Sequence, residues 1–319
     1  MSLSLQPFEP SVDFSILISC YFEEQSIEEF HRRLSATLES MGRSYEIIFV
    51  NDGCSDRTFE LLRSIYDTDP HVTAIVDLYK NSGQPNAKTP AVMLARGGAF
   101  VLLDSDLQLD PEELPLLVRK YDEGYDVVSG YREGRQDRLL RTIPSRLANS
   151  IMRAASNSSL RDFGCTYKIY DARLVRAFEF DAWKPWRPVP VIAGASRIAE
   201  VPVTHHPRKY GQSGWTFRKL FAYNMENIVN LSERPFQMVG TACLLIAAVF
   251  AGRLALEFFF RISILSHVTT GLVLNVIAVS TLTILAVLAV IGEFTVRNFL
   301  VLQRRPAFIV REIHTRTVH

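Results

Sequence analysis

Ala99-Phe-Val-Leu-Leu-Asp104-Ser105-Asp106-Leu107-Gln108 is an apolar run of strand length that breaks into two carboxylates. A short apolar run bounded by turn residues reads as a buried strand. Three earlier runs share the form. Phe14-Ser-Ile-Leu-Ile-Ser-Cys leads into Tyr21-Phe22-Glu23-Glu24, and Tyr45-Glu-Ile-Ile-Phe-Val into Asn51-Asp52-Gly53-Cys54-Ser55-Asp56. Val72-Thr-Ala-Ile-Val-Asp-Leu leads to Asn81-Ser82-Gly83-Gln84. Amphipathic stretches up to about Ser40, and from Thr58 to Tyr66, read as helices between them. The alternation predicts an α/β domain with a mostly parallel central sheet. In such sheets ligands bind beyond the carboxyl ends of the strands. Asp52, Asp104 and Asp106 all fall there.

Two carboxylates as close as Asp104 and Asp106 repel unless a cation neutralises them. A hard divalent ion, Mg²⁺ or Mn²⁺, is the natural partner and would also hold substrate phosphates. Gln108 would add an amide oxygen. The plainer reading is a solvated Asp-rich turn that caps the start of a helix at Pro111-Glu112-Glu113. No GxGxxG, Walker A, GxSxG or HExxH is present to support another cofactor class.

The chain has 319 residues, with 35 basic against 34 acidic side chains, a balance that argues against a dedicated nucleic-acid binder. Its 48% hydrophobic content excludes general disorder. Cys20, Cys54, Cys165 and Cys243 lie far apart with no CxxC, so neither a disulfide framework nor a zinc site is expected. The mean hydropathy of +0.08 averages two populations. Phe236–Leu256 is almost wholly apolar, with Arg253 its one charge, and Gly271–Gly292 carries none. Each is long enough for a helix that spans the roughly 30 Å hydrocarbon core. Basic residues flank the pair on both outer sides, while the connecting loop holds only Arg261 and His267. The positive-inside rule then puts both termini in the cytoplasm. The N-terminus lacks the basic and apolar regions of a signal peptide, so none is expected. The stretch before Pro235 reads as an amphipathic helix at the membrane surface. The expected organisation is an α/β domain over 1–212, a juxtamembrane helix over 213–235, a two-helix hairpin over 236–302 and a cytosolic tail over 303–319.

Taken in order, these motifs resemble the family 2 glycosyltransferases, specifically the polyprenyl-phosphate branch that includes dolichol-phosphate mannose synthases and undecaprenyl-phosphate glucosyl- and aminoarabinose-type transferases. The segment 20–24 is similar to VYNEE, 50–56 to V(N/D)DGSxD, 81–84 to NFGQ and 104–108 to DADLQ. Glu123–Val128, Arg135-Gln136-Asp137, Asp162-Phe163-Gly164-Cys165 and Arg208–Ser213 resemble the aminoarabinose-type enzymes, and Gly292-Glu293-Phe294 with Arg297 resembles GEYxGR.

The resemblance implies a GT-A type nucleotide-sugar-binding fold and an inverting transfer from a UDP-sugar to polyprenyl phosphate at the inner, plasma membrane. It implies that Tyr21, Glu23, Asp52, Gly83, Gln84, Asp104 and Ser105 line the nucleotide-sugar site. Asp104, Asp106 and Gln108 would hold the metal. Arg132, Arg135, Arg138, Arg208 and Ser213 would take the acceptor phosphate, since guanidinium suits phosphate. Asp162 and Arg208 would join Asp104 and Asp106 in catalysis. Partners would be the UDP-sugar, the lipid phosphate, membrane lipid and further copies of the chain, up to a tetramer, with the tail Pro306–Ile313 as a strand pairing between subunits.

The sequence departs from the family pattern at Phe22, at Asn86–Ala91 (NAKTPA), at Gly98 and at Gly214. Pro85 and Pro90 would start or kink a helix. Two alternatives stay open. One is transfer to a lipid or glycan hydroxyl, although no QxxRW is present. The other is a catalytically weak nucleotide-sugar-binding scaffold.

Overall fold

The computed structural model describes residues 9–132, 160–207 and 209, scattered positions between 277 and 299, and 302–316. The chain divides into two units, Met1–Asn227 with Arg305–His319, and Ile228–Arg304.

The first unit alternates as the sequence predicts: β1 (Val12–Cys20), α1 (Ile27–Ser40), β2 (Tyr45–Asn51), α2 (Thr58–Thr68), β3 (Val72–Leu78), α3 (Gln84–Leu94) and β4 (Gly97–Asp104). After it come α4 (Leu114–Asp122), β5 (Val127–Arg132), β6 (Lys168–Asp171), short helices at Ala172–Arg176 and Pro188–Gly194, β7 (Ile198–Val203) and β8 (Val310–Thr315). The eight strands form one sheet in the order β7-β5-β6-β4-β1-β2-β3-β8. The β4-β1-β2-β3 block is parallel, while β6 and β8 pair antiparallel.

Both faces of the sheet are covered, so its strands are continuous apolar runs. Ile16, Ile18, Ile47 and Phe49 pack with Phe30 and Leu34 of α1, Leu62 of α2 and Leu117 of α4. Leu17, Ile48 and Val50 pack on the other face with Ala87 and Ala91 of α3 and with Trp186. At the amino ends of the strands, buried Glu46 accepts hydrogen bonds from Ser15 Oγ (2.6 Å), Thr73 Oγ1 (2.9 Å) and the Arg96 backbone N–H (2.6 Å). This network closes the end of the sheet away from the candidate acids.

The tail forms a strand, but its partner is in its own chain: β8 lies antiparallel on β3, from Ala74 opposite Thr315 to Leu78 opposite Val310. The outer edge of β3 carries open backbone groups that favour any available strand. Arg311 Nη1 donates to Asp77 Oδ2 at 2.9 Å, and the Arg316 guanidinium lies 4.2 Å over the Tyr66 ring. These contacts fix the strand on β3 of its own chain and leave it as the edge strand of the sheet.

In the second unit the described positions between Ile277 and Leu302 are helical. Their apolar side chains are exposed, Ile284 at 60% and Leu302 at 80%. Among the described residues no helix is long and apolar enough to cross a membrane. The expected juxtamembrane helix (213–235) and first span (236–256) lie outside the described residues, and the second (271–292) is described at scattered positions only.

Candidate active site

The register brings the acids together. Ser19 of β1 sits opposite Asp104 of β4, and Cys20 opposite Asn51 of β2. The order reverses between β4 and β1, which is the switch point where open α/β sheets bind ligands.

Asp52 is buried and organises the neighbouring loop. Its Oδ1 accepts the Ser82 backbone N–H at 2.7 Å, and its Oδ2 that of Gly83 at 3.1 Å. Burial pushes the Asp52 carboxyl above its ordinary value, and the two backbone donors pull only part of the way back. Gly53 follows at φ +67°, where a Cβ would lie 2.3 Å from the Lys80 carbonyl carbon. The Asn-Asp-Gly motif therefore carries a backbone close approach that only glycine permits.

Asp104 is held from three sides. Gln84 Nε2 donates to Oδ1 at 2.6 Å, Lys88 Nζ to the same oxygen at 3.1 Å, and Thr166 Oγ1 to Oδ2 at 2.6 Å. Burial alone would raise the Asp104 carboxyl. The Lys88 ammonium and the hydrogen bonds of Thr166, Lys88 and Gln84 outweigh it and hold the group below the usual carboxylate range. Gln84 and Lys88 are four apart on α3 and so share a face. Sequence reasoning missed Lys88 and Thr166. Lys88 lies inside the NAKTPA departure and Thr166 directly follows the Asp162–Cys165 motif, but neither has a local pattern that marks it.

Asp106 Oδ1 accepts the Gln108 backbone N–H at 3.1 Å, closing a turn in which Leu107 takes φ +57°. Backbone held in that region by a non-glycine residue is characteristic of functional sites. Gln108 Nε2 donates to the His206 carbonyl at 3.3 Å. Ser105 Oγ contacts Cys20 Sγ at 3.6 Å. Glu23 accepts from Ser26 Oγ at 2.5 Å, at the start of α1. Tyr21 and Phe22 are both about half exposed and meet edge to face at 4.6 Å, forming an aromatic shelf. A cleft of about 550 Å³ opens beside Leu107, lined also by Glu29, Arg33, Asp110, His206 and Lys209.

Two residues expected in different roles meet as an ion pair. Arg132 Nε donates to Asp162 Oδ2 at 2.7 Å and Nη2 to Oδ1 at 2.9 Å, and Asp162 Oδ1 also accepts the Gly164 backbone N–H at 3.1 Å. Arg135, Arg138, Arg208 and Ser213 lie outside the described residues. Lys168 is buried under this pair, donating to the carbonyls of Phe163 and Cys165, and burial lowers its pKa.

Residues 15–180 match the family model "Glycosyl transferase family 2", half of the chain and all the motifs of this site. The chain belongs to glycosyl transferase family 2. It is therefore a glycosyltransferase, an enzyme. It is 30% identical over 308 residues to an undecaprenyl-phosphate 4-deoxy-4-formamido-L-arabinose transferase of Enterobacter sp. (strain 638), covering 95% of this chain and 94% of the relative. A transferase of the same name from Edwardsiella ictaluri (strain 93-146) is 34% identical over 242 residues, 74% of each chain. Among solved structures, glucosyl-3-phosphoglycerate synthase from Mycobacterium tuberculosis, crystallised with Mn²⁺, UDP and phosphoglyceric acid, superposes with a TM-score of 0.51 at 18% identity. The overlap covers 69% of this glycosyltransferase and 78% of the synthase, and it establishes the GT-A type fold.

The donor set limits where a divalent ion fits in this glycosyltransferase. Both Asp104 oxygens already accept protein donors, one of them an ammonium. Gln84 and Lys88 together take Oδ1, so an ion on that carboxylate would be left the Oδ2 side, beside Thr166. Among the described residues, no group of three or more His, Cys, Asp or Glu side chains forms a metal set. Asp106 and Gln108 are the part of the expected ligand set that Lys88 does not occupy.

Proposed function

We propose that this glycosyltransferase moves a sugar from a UDP-sugar to undecaprenyl or a similar polyprenyl phosphate, with inversion, at a membrane surface. The observation that carries the reading is the extent of the likeness to the Enterobacter transferase. It runs over 95% of the chain and so includes the apolar region beyond residue 235 as well as the sheet. The exposed apolar side chains on the helical positions from Ile277 onward support a lipid-facing second unit. Two membrane helices, over 236–256 and 271–292, fit that surface.

The chemistry asks little of a general base. The acceptor's phosphate oxygen is ionised at neutral pH, unlike a sugar hydroxyl. Catalysis then rests on positioning and on stabilising the charge of the departing UDP. Asp52 and the loop it holds, with Tyr21, Glu23, Gly83, Gln84 and Ser105, form the nucleotide-sugar side. Arg135, Arg138, Arg208 and Ser213 form the acceptor-phosphate side. Asp162 acts by fixing the Arg132 guanidinium that faces it. Mg²⁺ or Mn²⁺ would be held by Asp106 and Gln108 and, when bound, would offset charge on the leaving diphosphate.

The test uses the purified full chain in detergent with undecaprenyl phosphate, Mg²⁺ and Mn²⁺, and a panel of radiolabelled UDP-sugars. Lipid-linked label from at least one donor is expected. If a folded preparation labels no lipid from any donor, the proposal is wrong. Label on a lipid hydroxyl would support the hydroxyl-acceptor alternative instead.

A further inference from the structure

Lys88 is an unusual residue for its position. It lies on the buried side of α3, 4% exposed, between Ala87 and Ala91, which pack in the core. An ammonium taken out of water is strongly unfavourable unless it is paired and hydrogen-bonded. Its one ion-pair partner among the described residues is Asp104, at 3.1 Å. The pair is positioned by the helix. Gln84 reaches the same oxygen from one turn earlier, and Thr166 closes the other oxygen from across the sheet.

The placement has a chemical consequence. Asp104, Asp106 and a bound nucleoside diphosphate would bring several negative charges to one strand end, which requires a cation. At Asp104 that cation is part of the polypeptide. We propose that Lys88 is the resident counter-cation of Asp104. With it in place, nucleoside diphosphate binds this enzyme with little dependence on divalent metal. The inference rests on the reading that the β4 acids face the donor's diphosphate. It departs from the expectation that Asp104 and Asp106 share one ion.

The test is binding, not turnover. The affinity of the full chain for UDP is measured by titration calorimetry with Mn²⁺ and again with EDTA, for the native protein, Lys88→Met, Lys88→Gln and Lys88→Arg. Bound Mn²⁺ is followed by loss of the free-ion electron paramagnetic resonance signal. The native protein and Lys88→Arg are expected to change affinity by less than about threefold on chelation. Lys88→Met and Lys88→Gln are expected to lose about tenfold or more in EDTA, to recover with Mn²⁺, and to take up Mn²⁺ in the presence of UDP. Loss of about tenfold or more by the native protein on chelation overturns the inference without recourse to any variant. A neutral variant that folds by circular dichroism and shows the native metal dependence overturns it too. If the native protein binds no UDP under either condition, the donor reading itself fails and the inference falls with it.

Discussion

Asp52 and Gly53 are adjacent and serve separate physical needs, so their substitutions separate cleanly. Gly53→Ala puts a Cβ against the Lys80 backbone and forces alanine into left-handed backbone. A loss of about 3 kcal/mol or more is expected, read from the denaturation midpoint. Asp52 carries a pH signature. Its folded carboxyl is raised by burial, so it takes up a proton at a higher pH than an unfolded aspartate. As pH falls through that range, the carboxylate that holds Ser82 and Gly83 is lost, and UDP affinity is expected to fall. The linkage for stability has the opposite sign. A raised folded pKa means the fold binds the proton more tightly, so the Asp52 contribution to stability is largest at low pH and declines as pH rises. Calorimetric UDP titrations across the acid range, beside melting curves, check both. Asp52→Asn should flatten the acid limb of UDP binding while weakening it overall by about tenfold.

At the scale of an element, α3 carries the longest of the departures from the family pattern. Pro85 lies in the first turn, where its missing N–H is harmless. Pro90 lies inside the helix and removes the hydrogen bond to the Asn86 carbonyl. An interior proline costs about 3 kcal/mol, and its buried ring returns roughly half of that through apolar contact. Pro90→Ala is therefore expected to stabilise the protein by about 1 kcal/mol, a rise of roughly 2–4 °C in melting temperature by differential scanning calorimetry. The same helix shows why legibility in the sequence was uneven. β1, β2, β3 and β4 could be read because strands buried on both faces are unbroken apolar runs that end at polar turns. Asp52, Asp104 and Asp106 were visible for the same reason. Lys88 was not, because a lysine in a polar, proline-flanked stretch looks solvated until the partner across the sheet is known. β6 hid behind its buried Lys168 and its four-residue length. Thr166 has no local pattern at all, since its role comes from antiparallel pairing of β6 beside β4.

On the scale of the whole molecule, the pairing of β8 with β3 constrains how the chain can meet a membrane. The polypeptide leaves the sheet-bearing unit after Asn227 and is back in it from Arg305. A strand paired with β3 is on the same side of any bilayer as β3. Whatever crossings the intervening residues make must therefore be even in number. Two apolar segments satisfy this, and four would need more apolar sequence than residues 228–304 contain. The charge pattern gives the direction. Arg297, Arg304, Arg305 and Arg311 follow the second segment, whereas the connecting loop is nearly free of basic residues, so the proposed hairpin predicts the sheet on the cytoplasmic side. In a background with the native cysteines replaced, Ser266→Cys in that loop should react with a membrane-impermeant maleimide on intact cells freed of any outer barrier. Asp67→Cys, at an exposed position of α2, should react only after the membrane is opened. Labelling of both positions, or of neither, before permeabilisation would rule out the two-helix hairpin. Labelling of Asp67→Cys alone would keep the hairpin and reverse its orientation, which would place the nucleotide-sugar site on the side of the membrane without a cytosolic donor pool.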